Sequence, residues 1–192
     1  MPVGYYNDGE LKSLGLKKYG NNVLISKDTR IYNPERTVLG NNIRIDDFCV
    51  ITGDVQIGNF VHIGAFGLIS GKYGIKIGNF AAISSRVSMY TNNEDYSSGK
   101  GISSPTAPEK FQFTEKGSIV LDDHSLVGAH SVLLPSSFLK KGTIIGALSL
   151  VKGICDEWTL YAGVPIKKIK TISNQTRLKL EKEMHDQYSK DF

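Results

Sequence analysis

Few residues in this chain can move a proton near neutral pH: His62, His124, His130, His185, and the carboxylate pair Glu94-Asp95, set in a polar stretch. An imidazole titrates close to physiological pH and a positioned carboxylate can accept a proton, so either serves acid–base chemistry once a fold brings it to a substrate. Short runs of small residues, Ser84-Ser85, Gly128-Ala129 and Gly146-Ala147, are places where an extended ligand can reach backbone amide and carbonyl groups. Cys49 and Cys155 fall where a small apolar filler is wanted and are expected to be two buried thiols with no disulfide.

The elements that must position these groups are set by a period of six. From Leu39 to Met89 an aliphatic residue returns at nearly every sixth position, as in Ile45-Asp46-Asp47-Phe48-Cys49-Val50, Ile51-Thr52-Gly53-Asp54-Val55-Gln56 and Ile57-Gly58-Asn59-Phe60-Val61-His62. A helix wants apolar spacing near 3.6 and a half-buried strand wants alternation, so neither explains the count. Three flat hexads closing a triangular turn do. Position one points inward, position five admits only a small or β-branched side chain, and Gly or Asn-Asn at the corners tolerates unusual backbone angles. The expected fold is all-β, a parallel β-helix of hexapeptide repeats.

The 192 residues suit a single domain, 1–192, because a solenoid buries its core by stacking coils. Residues 1–18 form an N-terminal cap with a short helix over 5–18, Asn7 capping and Glu10 completing a capping box. The β-helix occupies 19–170 and is interrupted at about 90–118 by a polar loop, long enough to be functional or disordered. The remainder, 171–192, holds a helix from about Asn174 to Tyr188 with Leu180, Met184 and Tyr188 on its packing face.

Lys plus Arg exceed Asp plus Glu, 23 against 19, which suits a small anionic ligand and falls short of a nucleic-acid stripe. Neither a leader-like start nor an apolar run near twenty residues occurs, so a cytoplasmic protein with no membrane span is expected.

Counting three hexads per turn places Ile45, Ile63, Ile83, Val127 and Ile145 at the start of one face on successive turns. Ser84-Ser85, Gly128-Ala129 and Gly146-Ala147 then stack into a strip of small residues. His62, Ala82, Leu126 and Ile144 form an outward column beside it, and His62 and the loop acids are expected to share a cleft.

From Tyr19 to Lys170 the chain resembles the hexapeptide-repeat acyltransferases. The resemblance is carried by Val127-Gly128-Ala129-His130-Ser131-Val132, by Ile145-Gly146-Ala147 and by the exit Ala162-Gly163-Val164-Pro165-Ile166-Lys167-Lys168-Ile169. It implies a left-handed β-helix, assembled as a homotrimer with acyl-CoA in the groove between two subunits. Ile43-Arg44-Ile45-Asp46-Asp47-Phe48-Cys49, Phe80-Ala81-Ala82-Ile83-Ser84-Ser85-Arg86 and the long loop are most similar to the N-acyltransferases of nucleotide-linked amino sugars, among them the anthrose-pathway enzymes. The activity implied is transfer of an acyl group from acetyl-CoA, or another acyl-CoA, to the amine of a dTDP- or UDP-linked amino-dideoxy sugar for lipopolysaccharide or other surface glycans, with no metal.

The same resemblance assigns roles. Ser84, Gly128, Ala129, His130, Gly146, Ala147 and Pro165 are the expected coenzyme A contacts, with Lys152, Lys167 and Lys168 meeting its phosphates. A backbone N–H near Ser84, Ala129 or Ala147 would hold the thioester oxygen. Asp95, with Glu94 as substitute, would orient the sugar amine or receive its proton, and His62 is the other candidate base. His124 and His185 receive no role.

Two other enzyme readings share the fold. The galactoside and maltose O-acetyltransferases place a catalytic His after the strand that here leads into Tyr90-Thr91-Asn92-Asn93-Glu94-Asp95-Tyr96, which has none. A hydroxyl needs such a base more than an amine with a free lone pair does, so the departure favours N-acylation. The β-helical carbonic anhydrases hold zinc with three His, which here would require His62, His124 and His130 to converge; a non-catalytic scaffold is the remaining reading.

Overall fold

The computed structural model describes residues 4–96 and 98–188. Its inward aliphatic residues build a triangular prism of about seven turns, a left-handed β-helix. The first face stacks Val23–Ile25, Ile43–Ile45, Val61–Ile63, Ala82–Ile83, Leu126–Val127, Ile144–Ile145 and Thr159–Ala162 in parallel. The expected columns are present: Ile45, Ile63, Ile83, Val127 and Ile145 are direct partners from turn to turn, and so are His62, Ala82, Leu126 and Ile144.

The second face begins with Arg30–Tyr32 and takes in Ser88–Tyr90, Val132–Leu133 and Leu150–Val151; the third begins with Thr37–Leu39 and takes in Ile119–Leu121, Phe138–Leu139 and Ile154–Cys155. Two long strands, Val50–Ile57 and Leu68–Ile77, bend across both. Ile45, Ile63, Ile83, Met89, Leu121 and Val151 are completely buried, and the two cysteines are buried free thiols.

Position five changes character along the axis. It carries Ile43, Cys49, Val55 and Val61 in the early turns, then Ser125, Ser131, Ser137, Thr143 and Ser149, all buried. Each of these hydroxyls donates to a backbone carbonyl, Ser125 to Asp122 and Thr143 to Lys140 at 2.7 Å among them, so the interior stays satisfied.

The corners follow the expectation in part: Asn22, Asn42 and Gly142 take left-handed backbone, and larger side chains do so as well. Left-handed backbone is adopted by bulky residues at position four, including Phe48, Phe66, Arg86 and His130 at the corner joining the first and second faces. Some glycines serve a second need: at Gly78 a Cβ would lie 2.6 Å from the Asp123 amide nitrogen of the next turn, so only hydrogen fits between coils.

The N-terminal helix, α1, spans Asp8–Ser13, shorter than the expected 5–18, with the Asn7–Glu10 capping box formed and Leu11 buried against the coil. The interrupting segment is more ordered than a plain loop. Asn92–Glu94 pairs antiparallel with Thr114–Lys116, and Thr91 anchors its base by donating to Ser70 O at 2.8 Å and accepting from Tyr73 N at 3.1 Å. After the last coil, Lys167–Thr171 folds back antiparallel on Thr159–Ala162.

The C-terminal helix, α2, spans Gln175–Gln187. Its inward face is Arg177, Glu181 and Met184, whereas Leu180 and Tyr188 are exposed, which corrects the expected Leu180-Met184-Tyr188 stripe. Polar groups at the corner beneath it decide this, since His124 and Lys141 both pair with Glu181. Residues 1–3 of the expected cap and 189–192 after the helix lie outside the described residues.

Candidate active site

The strip of small residues is built by the coil itself. At the corner after the first face, Ser84-Ser85, Gly128-Ala129 and Gly146-Ala147 stack, and Ala162-Gly163 ends the ridge. The axial ladder consumes one amide per turn: Ser84 N donates to Val127 O at 2.9 Å, Gly128 N to Ile145 O at 2.8 Å and Gly146 N to Tyr161 O at 2.8 Å. The next amides are different. Those of Ala129 and Ala147 donate to no hydrogen bond among the described residues, so of the three places named for an oxyanion donor, two keep a donor and Ser84's own N–H is spent on the ladder. A Cβ at Gly128 would overlap the Ala147 nitrogen, so the ridge stays narrow and its backbone accessible.

His130 projects from the ridge beside Ala129 with a left-handed φ of 60°. Pro165 follows a cis peptide bond just beyond the ridge end, and Lys167 and Lys168 lie on the returning strand, with Lys168 paired to Asp156 at 3.3 Å. Hydrogen bonds from Lys168 and Tyr161 hold the Asp156 carboxyl below its usual range. Lys152 stands apart, at the corner joining the second and third faces, where it pairs with Glu115 at 2.9 Å.

The candidate acid–base groups fall into two places. His62 is on the first face, in the column beside the ridge, with Nε2 2.7 Å from Asp46 Oδ2. Glu94 and Asp95 leave from the far corner of the second face. Within one chain the structure therefore does not bring His62 and the loop acids to one cleft, contrary to expectation, because a face of the prism separates them. Glu94 borders a groove of about 570 Å³ together with Tyr90, Asn92, Tyr96, Val132 and Leu150. Asp95 accepts from Ser98 N at 2.7 Å, Ser98 Oγ at 2.6 Å and Lys100 N at 2.8 Å, so its carboxylate shapes its own loop.

His62, His124 and His130 do not converge: the first stands on a face, the second at the corner joining the third and first faces, and the third at the ridge. Sequence reasoning missed Asp46, which bonds to His62, and Arg44 and Tyr5, which bond to Asp46. The available signal was Arg44-Ile45-Asp46, an alternating pair that a strand places on one side, one turn before His62.

A left-handed β-helix with this ridge defines a hexapeptide-repeat acyltransferase. The chain is 39% identical over 170 residues to dTDP-4-amino-4,6-dideoxy-D-glucose acyltransferase of Escherichia coli, covering 87% of this chain and 88% of that enzyme. It superposes with a TM-score of 0.93 on AntD, an N-acyltransferase from Bacillus cereus in complex with dTDP and 3-hydroxybutyryl-CoA, at 40% identity over 97% of this chain and 98% of that one. A serine-to-cysteine variant of AntD, in complex with dTDP-4-amino-4,6-dideoxyglucose and coenzyme A, likewise gives 0.93 at 39% identity, covering 96% and 98%. No family model matches the chain. The chain belongs to the coenzyme A-dependent N-acyltransferases of nucleotide-linked amino sugars.

Proposed function

We propose that the protein transfers the acetyl group of acetyl-CoA to the amine of a dTDP- or UDP-linked amino-dideoxy sugar, in the cytoplasm, as a step towards lipopolysaccharide or another surface glycan. The observation that carries this is the ridge, where the amides of Ala129 and Ala147 remain available beside Gly128 and Gly146. The 39% identity to an acyltransferase of dTDP-4-amino-4,6-dideoxy-D-glucose supports the acceptor class and favours dTDP.

Acyl-CoA lies along Ser84, Gly128, Ala129, His130, Gly146 and Ala147, passes Pro165, and meets Lys167 and Lys168 with its phosphates; Lys152, expected with them, stands at another corner paired to Glu115. The amine lone pair attacks the thioester carbon, a C–N bond forms, and the oxygen takes up negative charge against a ridge amide. Collapse breaks the C–S bond and expels the thiolate, and the proton shed by nitrogen ends on the sulfur. Asp95 and Glu94 orient the amine or receive its proton, and His62 is the other acceptor.

The working form is a homotrimer of a single acyltransferase domain. Separation of His62 from the loop acids within one chain supports a cleft made by two chains, one supplying ridge and His62, the other the loop. The test is coenzyme A release, by thiol titration, from acetyl-CoA with a panel of dTDP- and UDP-linked 3-amino and 4-amino dideoxysugars and simple galactosides. Turnover with a nucleotide amino sugar is expected; turnover only with a hydroxyl acceptor overturns the assignment.

A further inference from the structure

The outward column of the first face reads Arg44, His62, Ala82, Leu126, Ile144 and Leu160. Ala82 is the small member, so the column is notched between His62 and Leu126. The notch opens beside Ser84, two residues along the same strand direction, and strand spacing puts the His62 and Ser84 Cα atoms roughly 8 Å apart. A group bound over Ala82 therefore has an imidazole on one side and the ridge on the other.

That imidazole is held. Its Nε2 is 2.7 Å from Asp46 Oδ2, while Asp46 Oδ1 accepts from Arg44 Nε at 2.6 Å and from Tyr5 Oη at 3.2 Å. Tyr5 is delivered by the segment before α1, which pairs with Ser26 and donates Tyr6 N to Ile25 O at 3.0 Å. Partial burial pushes the Asp46 carboxyl up, but the bonds from His62 and Arg44 outweigh it and leave the carboxyl below the usual range. An ionised carboxylate only accepts, so Nε2 carries a hydrogen, and in the neutral ring the lone pair is then on Nδ1, which bonds to no described residue.

We infer that Asp46 is a positioning residue, steadied by Arg44 and Tyr5, that fixes His62 as the proton acceptor for an amine held in the notch over Ala82. The inference rests on the acyl transfer proposed above. In the step, nitrogen attacks the thioester carbon as its N–H proton passes to His62 Nδ1; the C–S bond breaks, and the imidazolium returns that proton to the leaving thiolate. No other reactant is needed. A carboxylate behind an imidazole both selects the tautomer and steadies the imidazolium as it forms.

The experiment compares wild type, His62→Ala, Asp46→Asn, Tyr5→Phe and the His62→Ala/Asp46→Asn double variant in the coenzyme A release assay. Circular dichroism and gel filtration accompany each, and Tyr5→Phe is the mild variant should Asp46→Asn fold poorly. His62→Ala is expected to lower kcat about 100-fold with the KM for acetyl-CoA unchanged, and added imidazole to restore part of the rate. Asp46→Asn is expected to lower kcat about 10-fold, and the double variant to be no slower than His62→Ala, since a residue acting through His62 has nothing left to position. A double variant slower than His62→Ala, or no imidazole rescue, overturns the inference in favour of a structural ion pair. Wild-type turnover that His62→Ala retains in full overturns the dyad alone; a wild type inert towards every amino sugar overturns the acceptor assignment and the dyad with it.

Discussion

His124 Nε2 lies 3.1 Å from Glu181 Oε2, joining the C-terminal helix to a corner of the solenoid. His124 is one rung of a ring ladder, stacked on Phe80 at 4.9 Å between centroids and tilted against Trp158 at 5.8 Å, while Phe80 stacks on Phe60 at 5.3 Å. The contact is close but too far off axis for a well-directed hydrogen bond, since His124 Nε2 has no hydrogen-bond partner among the described residues. Lys141 Nζ lies 3.6 Å from the same carboxylate oxygen.

The first prediction follows from the burial of that pair, with 11% of the His124 and 17% of the Glu181 side chain exposed. Glu181→Ala removes the anchor of α2 and should cost about 1–2 kcal/mol, between the values for exposed and buried pairs. Hydrogen exchange should rise across residues 175–187 and stay unchanged in the coil; protection retained in the helix would show that its apolar contacts suffice.

The same pair makes helix docking depend on acid. Burial pushes the Glu181 carboxyl up, but His124 and Lys141 outweigh it, so in the folded state it titrates below its ordinary 4.5. A depressed folded value means that the contribution is fully present above the unfolded pKa and is lost as pH falls through the folded one. Limited proteolysis at the C-terminal helix should accelerate below about pH 4.5. Glu181→Gln should abolish that dependence on the helix while leaving any acid response of the coil.

Gly142 stands in the corner ladder with φ +71°, and a Cβ there would overlap the Trp158 ring. Gly142→Ala combines strain with a clash against a buried indole and should destabilise by about 2–3 kcal/mol. Urea denaturation measures this, and a loss below about 0.5 kcal/mol would mean that the ring moves aside freely.

Lys167 and Lys168 lie just beyond the ridge end, where the phosphates of acyl-CoA are proposed to sit. Lys167→Ala/Lys168→Ala should raise the KM for acetyl-CoA about 5-fold at low salt, less at high salt, with kcat unchanged. An unaltered KM would place the phosphates elsewhere.

Asp95→Asn should lower turnover more than acyl-CoA affinity, because the residue is proposed to serve the acceptor amine. Its carboxylate already takes three hydrogen bonds from Ser98 and Lys100, so losing the charge also loosens the loop and should raise the acceptor KM. Unchanged kcat and acceptor KM would remove Asp95 from the mechanism and leave Glu94, at the groove, as the loop acid.

Much of the molecule was legible because a solenoid repeats locally. Each hexad reports its own inward residue, so Ile45, Ile63, Ile83, Val127 and Ile145 could be aligned across turns by counting, and the small-residue ridge followed. Counting assigns faces but not reach. It put His62 beside the ridge correctly and also placed the loop acids with it, although they depart from another corner.

The hexad period by itself determined the β-helix, the stacking of Ser84, Gly128 and Gly146, and the buried thiols, because these depend on side-chain direction within a repeat. Only the tertiary structure decided that Ser84's amide is spent while those of Ala129 and Ala147 are not, that α2 docks through Glu181, and that His62, Arg44 and Tyr5 all bond to Asp46. Those outcomes depend on which polar groups of different turns meet and satisfy one another, and a hydrogen-bond partner 41 residues away leaves no mark in the period.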